Sequence, residues 1–350
     1  MDAQGTPARR AVRRRRTVRR RRGLAAVVFV AVIGLVAWAG LSGSSAHPRA
    51  SGTRASRPGL QASPEHFVAG RLPFALPVAL QDAATVALGS GRAVLLGGLN
   101  SADTSTAAVS VLEAGGVRSG RLLPDAQHDA QGTLLDGRVY VFGGGQSTSY
   151  SHILSYDPAT GDVTQAASLP TPISDAAVAA IGGTAYVVGG YDGEQALSTI
   201  VAWRPGGSAR VVAHMPYGLR YAAVAPSGGR LVIVGGSRGE EPTTGILSFD
   251  PTTGAVRRVG DLPVATTHAV AVAIGAYVYL LGGRGAAADS QSAAIVAIDP
   301  ATGRALHVGA LPLPLSDTSA VLVDGRIWLA GGLSGAGTVA SVLELTPARG

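Results

Sequence analysis

The chain has 350 residues and contains neither cysteine nor lysine. The lack of cysteine excludes disulfide bonds and cysteine-ligated metal sites. All 29 basic residues are therefore arginine, which we interpret as a composition bias of the whole coding sequence. Hydrophobic residues make up 46% of the chain, which is enough to build the core of one large domain.

Positive charge is almost confined to the N-terminus. Residues 1–22 carry ten arginines and one aspartate, for a net charge of +9, so the other residues contribute −2 to the total of +7. From Phe67 onward, 16 arginines face 20 acidic residues. A basic stripe across the main domain is the usual mark of nucleic-acid binding. Its absence predicts that nucleic acid is not a partner.

Catalytic motifs are also absent from the sequence. There is no nucleophile elbow, no paired metal motif and no phosphate loop. Strings such as Gly282-Gly283-Arg284-Gly285 follow an apolar run, but no helical pattern comes after them. We therefore predict no catalytic residues, no metal and no cofactor.

What the chain does contain is a repeated glycine pair. Six times, four apolar residues precede two glycines, and the first glycines of successive pairs lie 46, 46, 46, 47 and 49 residues apart. The pairs are Gly97-Gly98, Gly143-Gly144, Gly189-Gly190, Gly235-Gly236, Gly282-Gly283 and Gly331-Gly332. A fixed period in this range is typical of a repeat architecture.

Each period also contains two further markers. A Leu-Pro or Met-Pro pair stands 19 residues before each of the last five glycine pairs, counted from its proline. Three periods carry a turn motif of the form Asp-Pro-x-Thr-Gly, as at Asp157–Gly161. The apolar runs between these markers are short and rich in β-branched residues, which favours strands. Four strands per period make one propeller blade.

The pattern of an apolar run before a glycine pair, at this period, resembles the Kelch repeat family. The resemblance covers about 280 of the 350 residues in six copies. It implies an all-β fold, a six-bladed Kelch-type β-propeller over residues 65–350. The apolar run at the N-terminus separately predicts one transmembrane helix before the propeller.

The sixth copy ends after its third strand, near Leu345. A spare strand, near residues 65–73, precedes the first blade and resembles the fourth strand at 307–312. We therefore expect residues 65–73 to complete the last blade, which would protect the strand edges of an open ring.

The N-terminus predicts a membrane anchor. Residues 1–22 form an arginine-rich tail, residues 23–41 a transmembrane signal anchor, and residues 42–64 a stalk rich in Ser, Pro and Arg. The positive-inside rule places the tail in the cytoplasm and the propeller outside, and Arg9–Arg22 would contact anionic lipid. The alternative is a cleaved signal peptide and a secreted propeller.

Polar residues recur at the start of the first strand of each copy, which lies nearest the central channel. Counting back 14 residues from each first glycine gives Ala83, Asp129, Asp175, Tyr221, His268 and Asp317. Counting back 15 gives Asp82, His128, Ser174, Arg220, Thr267 and Ser316. From these we predict a ligand site at the channel mouth made of Asp82, His128, Asp129, Asp175, Arg220, Tyr221, His268 and Asp317. The alternative is that these polar groups only bond to neighbouring backbone.

The loops between the second and third strands vary most in length, which is common on the binding face of a repeat protein. Candidate loop contacts are Tyr150, Tyr191, Asp192, Arg238 and Arg284.

Two functions remain open at this point. The first is a membrane-anchored binding module outside the cytoplasm, with an unknown protein or a cell-wall or surface glycan as its partner. The second is a sugar-active enzyme that resembles Kelch-like sialic acid mutarotases, with the same face as its active site. The lack of a catalytic signature favours the binding module.

Overall fold

The computed structural model describes residues 63–348. The arginine-rich tail, the predicted membrane span and nearly all of the predicted stalk lie outside the described residues. Between residues 63 and 348, no helix is long and apolar enough to cross a membrane.

The described residues form six antiparallel sheets of four main strands, so the predicted six-bladed all-β propeller is confirmed. We number the blades I to VI. From the inner to the outer strand, blade I contains β3 (Ala84–Gly89), β4 (Arg92–Leu96), β6 (Val109–Glu113) and β7 (Gly116–Ser119). Blade II contains β8 (Gln131–Leu135), β9 (Arg138–Phe142), β10 (His152–Tyr156) and β11 (Val163–Ser168). Blade III contains β12 (Ala177–Ile181), β13 (Thr184–Val188), β14 (Thr199–Trp203) and β15 (Arg210–His214).

The other three blades follow the same order. Blade IV contains β16 (Ala223–Ser227), β17 (Arg230–Val234), β19 (Glu241–Asp250) and β20 (Ala255–Thr266). Blade V contains β21 (Val270–Ile274), β22 (Tyr277–Leu281), β23 (Ala294–Ile298) and β24 (Ala305–Ala310). Blade VI contains β25 (Ser319–Val323), β26 (Arg326–Ala330), β29 (Ser341–Pro347) and β1 (Phe67–Ala75). Five two-residue strands lie in loops: β2 (Leu80–Gln81), β5 (Leu99–Asn100), β18 (Ser237–Arg238), β27 (Leu333–Ser334) and β28 (Gly337–Thr338).

Blade VI is built from both ends of the propeller. Its outer strand β1 comes from the N-terminal side and pairs antiparallel with β29, from Phe67 opposite Pro347 to Arg71 opposite Leu343. Beyond this ladder, the amide of Ala348 donates to the carbonyl of His66 at 2.7 Å. The Phe67 ring also meets Tyr279 of blade V edge-on, with ring centroids 5.0 Å apart. The strand expected near 65–73 therefore lies in the place where the ring of blades closes.

The hydrophobic core is divided among the interfaces between blades. Six clusters of buried side chains lie in the described residues, and each joins two neighbouring blades, including blades VI and I. At the interface between blades II and III, for example, the Trp203 ring packs edge-on against Tyr140 and Phe142. Because no blade holds a core of its own, each depends on both of its neighbours.

The glycine pairs set the contact between one blade and the next. Gly143 has a φ of +59°, and a Cβ added to it would lie 2.1 Å from the carbonyl oxygen of Ile173. The amide of Gly144 donates to that same carbonyl at 2.9 Å. The same arrangement recurs at the other five pairs, each of which bonds to the following blade in the ring. The pairs are therefore architectural, since a side chain at the first glycine would push two blades apart.

Candidate functional site at the channel mouth

The inner strands line a central channel. The six residues that lie two positions before these strands form a ring at the mouth of the channel. We call these six the ring residues: Asp82, Asp129, Asp175, Tyr221, His268 and Asp317. Each ring residue donates its backbone amide to the carbonyl of the ring residue in the preceding blade, at 2.9 to 3.3 Å. Asp82 donates to Asp317 at 3.0 Å, which closes the circle.

The ring corrects one expectation from the sequence. Spacing from the glycines placed Ala83 in register with Asp129, whereas Asp82 holds that place and Ala83 is buried in the core between blades VI and I. The cause is an irregular register of β3 against β4 between Ala87 and Gly89. This β-bulge adds one residue to blade I, and a count from the glycines cannot detect it.

All six ring residues adopt left-handed backbone conformations, with φ between +50° and +58°. This conformation aims each side chain at the channel while its backbone stays in the ring. It is costly for residues other than glycine, although Asp and His tolerate it better than most. None of the six is glycine, and Tyr221 is a bulky residue for which the conformation is a genuine outlier. Strain of this kind is concentrated at functional sites.

The ring residues line a cavity of about 190 Å³ at the mouth. The opposite half of the channel holds a cavity of about 370 Å³ lined mainly by alanine, valine and leucine side chains. The channel is therefore polar at one end and apolar at the other. No group of three or more His, Asp or Glu side chains in residues 63–348 is arranged to hold a metal ion.

A second layer of residues lies outside the ring. In each blade, the residue before the ring residue pairs with the residue that follows the glycine pair, as His128 pairs with Gly145 and Ser174 with Tyr191. This pairing brings Arg220, Tyr191 and Arg284 to the mouth. The loops that the sequence marked as variable thus meet the ring on the same face.

Arg220 and Asp175 form an ion pair in which the carboxylate is buried and the guanidinium is partly exposed. The Nε of Arg220 donates to Oδ2 of Asp175 at 2.6 Å, and the side chain of Asp175 is only 2% exposed. The guanidinium lies over the Tyr191 ring, 4.2 Å from its centroid, and 5.1 Å from that of Tyr221. The positive charge of Arg220 therefore interacts with the Asp175 carboxylate and with the faces of the two aromatic rings.

His268 is held neutral at the cavity wall. Burial, together with the positive charges of Arg284 and Arg220, lowers the pKa of His268 to about 3. Its ring stacks on Tyr221 with centroids 3.7 Å apart, and its Nε2 lies 3.1 Å from a guanidinium nitrogen of Arg284. Arg284 therefore belongs to the site.

Asp317, Asp82 and Asp129 are the ring residues of blades VI, I and II, and we call this row of three carboxyl groups the acidic arc. Burial raises the pKa of Asp82 well above its usual range, and repulsion from Asp129, Asp317 and Asp175 adds to this effect. Burial and the charge of Asp175 likewise raise the pKa of Asp129. The pKa of Asp317 is also raised by burial, although the Ser316 hydroxyl and Arg284 counteract part of the shift.

Two residues link this arc to its surroundings. The Tyr221 hydroxyl donates to Oδ2 of Asp129 at 3.5 Å. His128 approaches the same oxygen with Nε2, also at 3.5 Å, and its Nδ1 is 2.8 Å from the Ser105 hydroxyl. Burial lowers the pKa of His128, so it brings no positive charge at neutral pH. Ser105 was not predicted, because it reaches His128 from the loop of the preceding blade.

The remaining loop candidates lie away from this group. Tyr150 donates to the carbonyl of Ala126 and packs on His152. Asp192 accepts bonds from the amides of its own turn, at Glu194 and Gln195. Arg238 lies over the ring of Tyr217, 4.5 Å from its centroid. In the structure, each of these three has a local partner.

Comparison with known proteins concerns the repeats and the fold. Residues 172–207 and 218–263 match the Kelch motif. The chain carries Kelch motifs in a six-bladed propeller. The six-bladed propeller is similar to the solved structure of YjhT, with a TM-score of 0.68 and 16% identity, over 78% of this chain and 96% of that one. At that identity the likeness concerns the fold alone. No curated protein matches the chain.

Proposed function

We propose that this protein is a binding module, anchored in a membrane and exposed outside the cytoplasm, that takes a polar ligand at the channel mouth. The observation that carries the proposal is the ring itself. Six side-chain-bearing residues accept a backbone conformation that favours glycine, and all six face one small cavity. Ligand sites are typically concave and present a few converging polar groups.

The anchor and the location rest on the sequence. The arginine run Arg9–Arg22 followed by the apolar segment 23–41 supports a single span with the propeller outside. A protein or a wall or surface glycan is the partner class that such a location offers. Fractionation of cells that express the full chain, with protease added from outside, tests this topology, and protection of the propeller would contradict it.

The binding role is tested by probing the full-length chain on arrays of glycans and peptides. A triple variant with alanine at Arg220, His268 and Asp175 should lose every interaction that depends on the mouth. The matched control replaces Arg121, Arg258 and Asp261, which form exposed ion pairs on or next to outer strands, and should retain binding. If the triple variant bound all ligands as well as the parent chain, the mouth would not be the binding site.

One observation favours an enzyme as a second candidate. The mouth combines a neutral His268 with carboxyl groups whose pKa values are raised, as at Asp82 and Asp129. Groups whose environments move their pKa values in opposite directions suit acid–base chemistry on a sugar ring. NMR exchange between the anomers of free monosaccharides, sialic acid included, would detect this activity. Exchange rates unchanged by the protein across the panel would exclude the mutarotase alternative.

A further inference from the structure

One serine on the mouth face contacts a histidine of the next blade. Ser105 lies in the loop between β4 and β6 of blade I, and its hydroxyl is 2.8 Å from Nδ1 of His128, just before β8 of blade II. On the other side of the imidazole, Nε2 lies 3.5 Å from Oδ2 of Asp129. A hydroxyl, an imidazole and a carboxyl group in this order are the recurring parts of an activated serine nucleophile.

The imidazole is in the state that a general base requires. Its Nε2 faces an acceptor oxygen of Asp129, which favours the proton on Nε2 and leaves Nδ1 to accept from the Ser105 hydroxyl. Burial lowers the pKa of His128, so the ring is uncharged at neutral pH and can take up a proton. Burial and the charge of Asp175 raise the pKa of Asp129, but a protonated carboxyl group keeps acceptor capacity for the Nε2 proton.

The serine is open to a molecule from outside. Ser105 is partly exposed and follows the exposed loop residues 101–104, and the His128 side chain is 22% exposed. Within residues 63–348, the backbone amide of Ser105 donates to no backbone carbonyl. In serine hydrolases, the amide of the nucleophile is one of the donors that stabilise the oxyanion formed when a carbonyl group is attacked. Ser105 therefore provides a nucleophile and one oxyanion donor.

Blade II provides an internal comparison. Ser149 occupies the equivalent place there, because it pairs with the residue after its glycine pair just as Ser105 does. Its hydroxyl donates to the Ser174 hydroxyl at 3.2 Å, and that group is not a base at neutral pH. The contact of Ser105 with an imidazole therefore distinguishes blade I from blade II. Ser105 and His128 are 23 residues apart in the sequence, so they form no local motif.

The space beside the site limits the substrate. Asp129 lines the mouth cavity of about 190 Å³, which is below the roughly 300–1,000 Å³ of pockets that enclose a drug-sized molecule. Only a small group fits there, whereas the exposed loop 101–104 leaves the other side of Ser105 open. A small acyl group attached to a larger alcohol matches this arrangement.

We infer that Ser105 is the nucleophile of an ester hydrolase site, with His128 as its general base and Asp129 as the residue that positions the imidazole, and that its substrates are esters of small carboxylic acids. This activity goes beyond the proposed binding function. Oγ of Ser105 bonds to the carbonyl carbon while its proton passes to Nδ1 of His128. The ester bond then breaks, and the alcohol leaves with that proton.

The second half of the reaction frees the serine. Nδ1 of His128 takes a proton from a water molecule, whose oxygen bonds to the acyl carbon. The bond to Ser105 breaks, the serine oxygen takes the proton back, and the acid is released. One ester and one water thus give one alcohol and one acid.

The test is hydrolysis of p-nitrophenyl acetate by the full-length chain, together with labelling by a fluorophosphonate and peptide mass spectrometry. We expect hydrolysis above the buffer rate and the label on Ser105. Ser105→Ala should lower kcat/KM roughly a hundredfold or more and lose the label. Ser149→Ala is the matched control, and it should hydrolyse the ester at the parent rate.

Three results would overturn the inference. These are no hydrolysis by the parent chain above the buffer rate, hydrolysis by Ser105→Ala at the parent rate, and a label on another residue in place of Ser105. If array ligands still depended on the mouth while any of these results was found, the binding function would stand without the hydrolase.

Variants of the other two residues test their roles. His128→Gln should lower kcat as far as Ser105→Ala does, because it removes the base. Asp129→Ala should lower kcat at least tenfold with little change in KM. Asp129→Asn, which keeps an acceptor oxygen and tolerates positive φ, should restore most of the loss. Equal rates for Asp129→Ala and the parent chain would show that Asp129 does not position the imidazole, and calorimetry checks that each variant is folded at the assay temperature.

Discussion

At the scale of single residues, the converging polar side chains of the mouth lower the stability of the folded protein. Asp82 and Asp129 are buried beside other carboxylates without an arginine of their own. Tyr221 keeps a backbone conformation that bulky residues avoid. Replacements that relieve such tension often stabilise a protein while they impair its function.

The raised pKa of Asp82 sets the direction of a pH effect. Because its pKa in the folded protein is above the unfolded value of about 4, the folded state binds the proton more tightly. Its contribution to stability is therefore complete below pH 4 and is lost as the pH rises through the folded-state pKa. Asp82→Asn removes this loss, so its Tm at pH 7 should exceed that of the parent chain by about 2 °C or more.

Calorimetry at pH 4 and pH 7 checks this prediction, because the advantage of the variant should shrink at the lower pH. Charged neighbours that take part are Asp129, Asp175 and Asp317, each of which faces Asp82. A Tm for Asp82→Asn that is lower than that of the parent chain at pH 7 would mean that the carboxylate stabilises the ring.

The glycine pairs permit a second test at the residue scale. Gly143→Ala combines a φ of +59° with a Cβ 2.1 Å from the Ile173 carbonyl oxygen. Gly182→Ala has nearly the same φ, +55°, with nothing within 4 Å. The backbone cost of about 1–2 kcal/mol is common to both, so the extra loss in Gly143→Ala measures the clash between blades. We expect urea unfolding to give a markedly lower midpoint for Gly143→Ala, and equal midpoints would contradict this account of the pairs.

At the scale of elements, β1 (Phe67–Ala75) is the strand on which the ring of blades depends. It supplies the outer strand of blade VI and adds the Phe67 contact with Tyr279 of blade V. Without it, β29 would become an exposed edge, and part of the core between blades V and VI would be uncovered.

Deletion of residues 64–75 should therefore lower the Tm far more than deletion of a surface loop of the protein. Residues 286–289, in the loop between β22 and β23, provide the control. Differential scanning calorimetry of both full-length variants gives the comparison. A similar Tm for the two deletions would show that β1 does not hold the ring closed.

At the scale of the whole molecule, the six shared core clusters predict that the propeller unfolds as one unit. Leu280 is 2% exposed in the cluster between blades IV and V, so Leu280→Ala should cost about 2–5 kcal/mol. Leu322, which is 38% exposed, gives the control and should cost far less as Leu322→Ala. Calorimetry should show one transition shifted to lower temperature, whereas a second transition for blades IV and V alone would contradict shared cores.

The number of blades and most of the ring residues can be predicted from periodic features of the sequence. The glycine pairs predict six blades because a backbone turn against a neighbouring carbonyl needs residues without a side chain. The ring residues are predictable in five blades of six, since the count from the glycines fails only where a bulge lengthens blade I. Ser105 could not be found, because its contact with His128 crosses from one blade to the next and leaves no periodic signal.

The closed circle of hydrogen bonds at the mouth also has an electrostatic consequence. The six amides all point the same way around the channel, from each blade to the one before it. Their peptide dipoles therefore cancel around the circle, unlike those of a helix, which add along its axis. The six ring amides therefore add no net dipole across the mouth, which leaves the ring side chains to set its preference for charge.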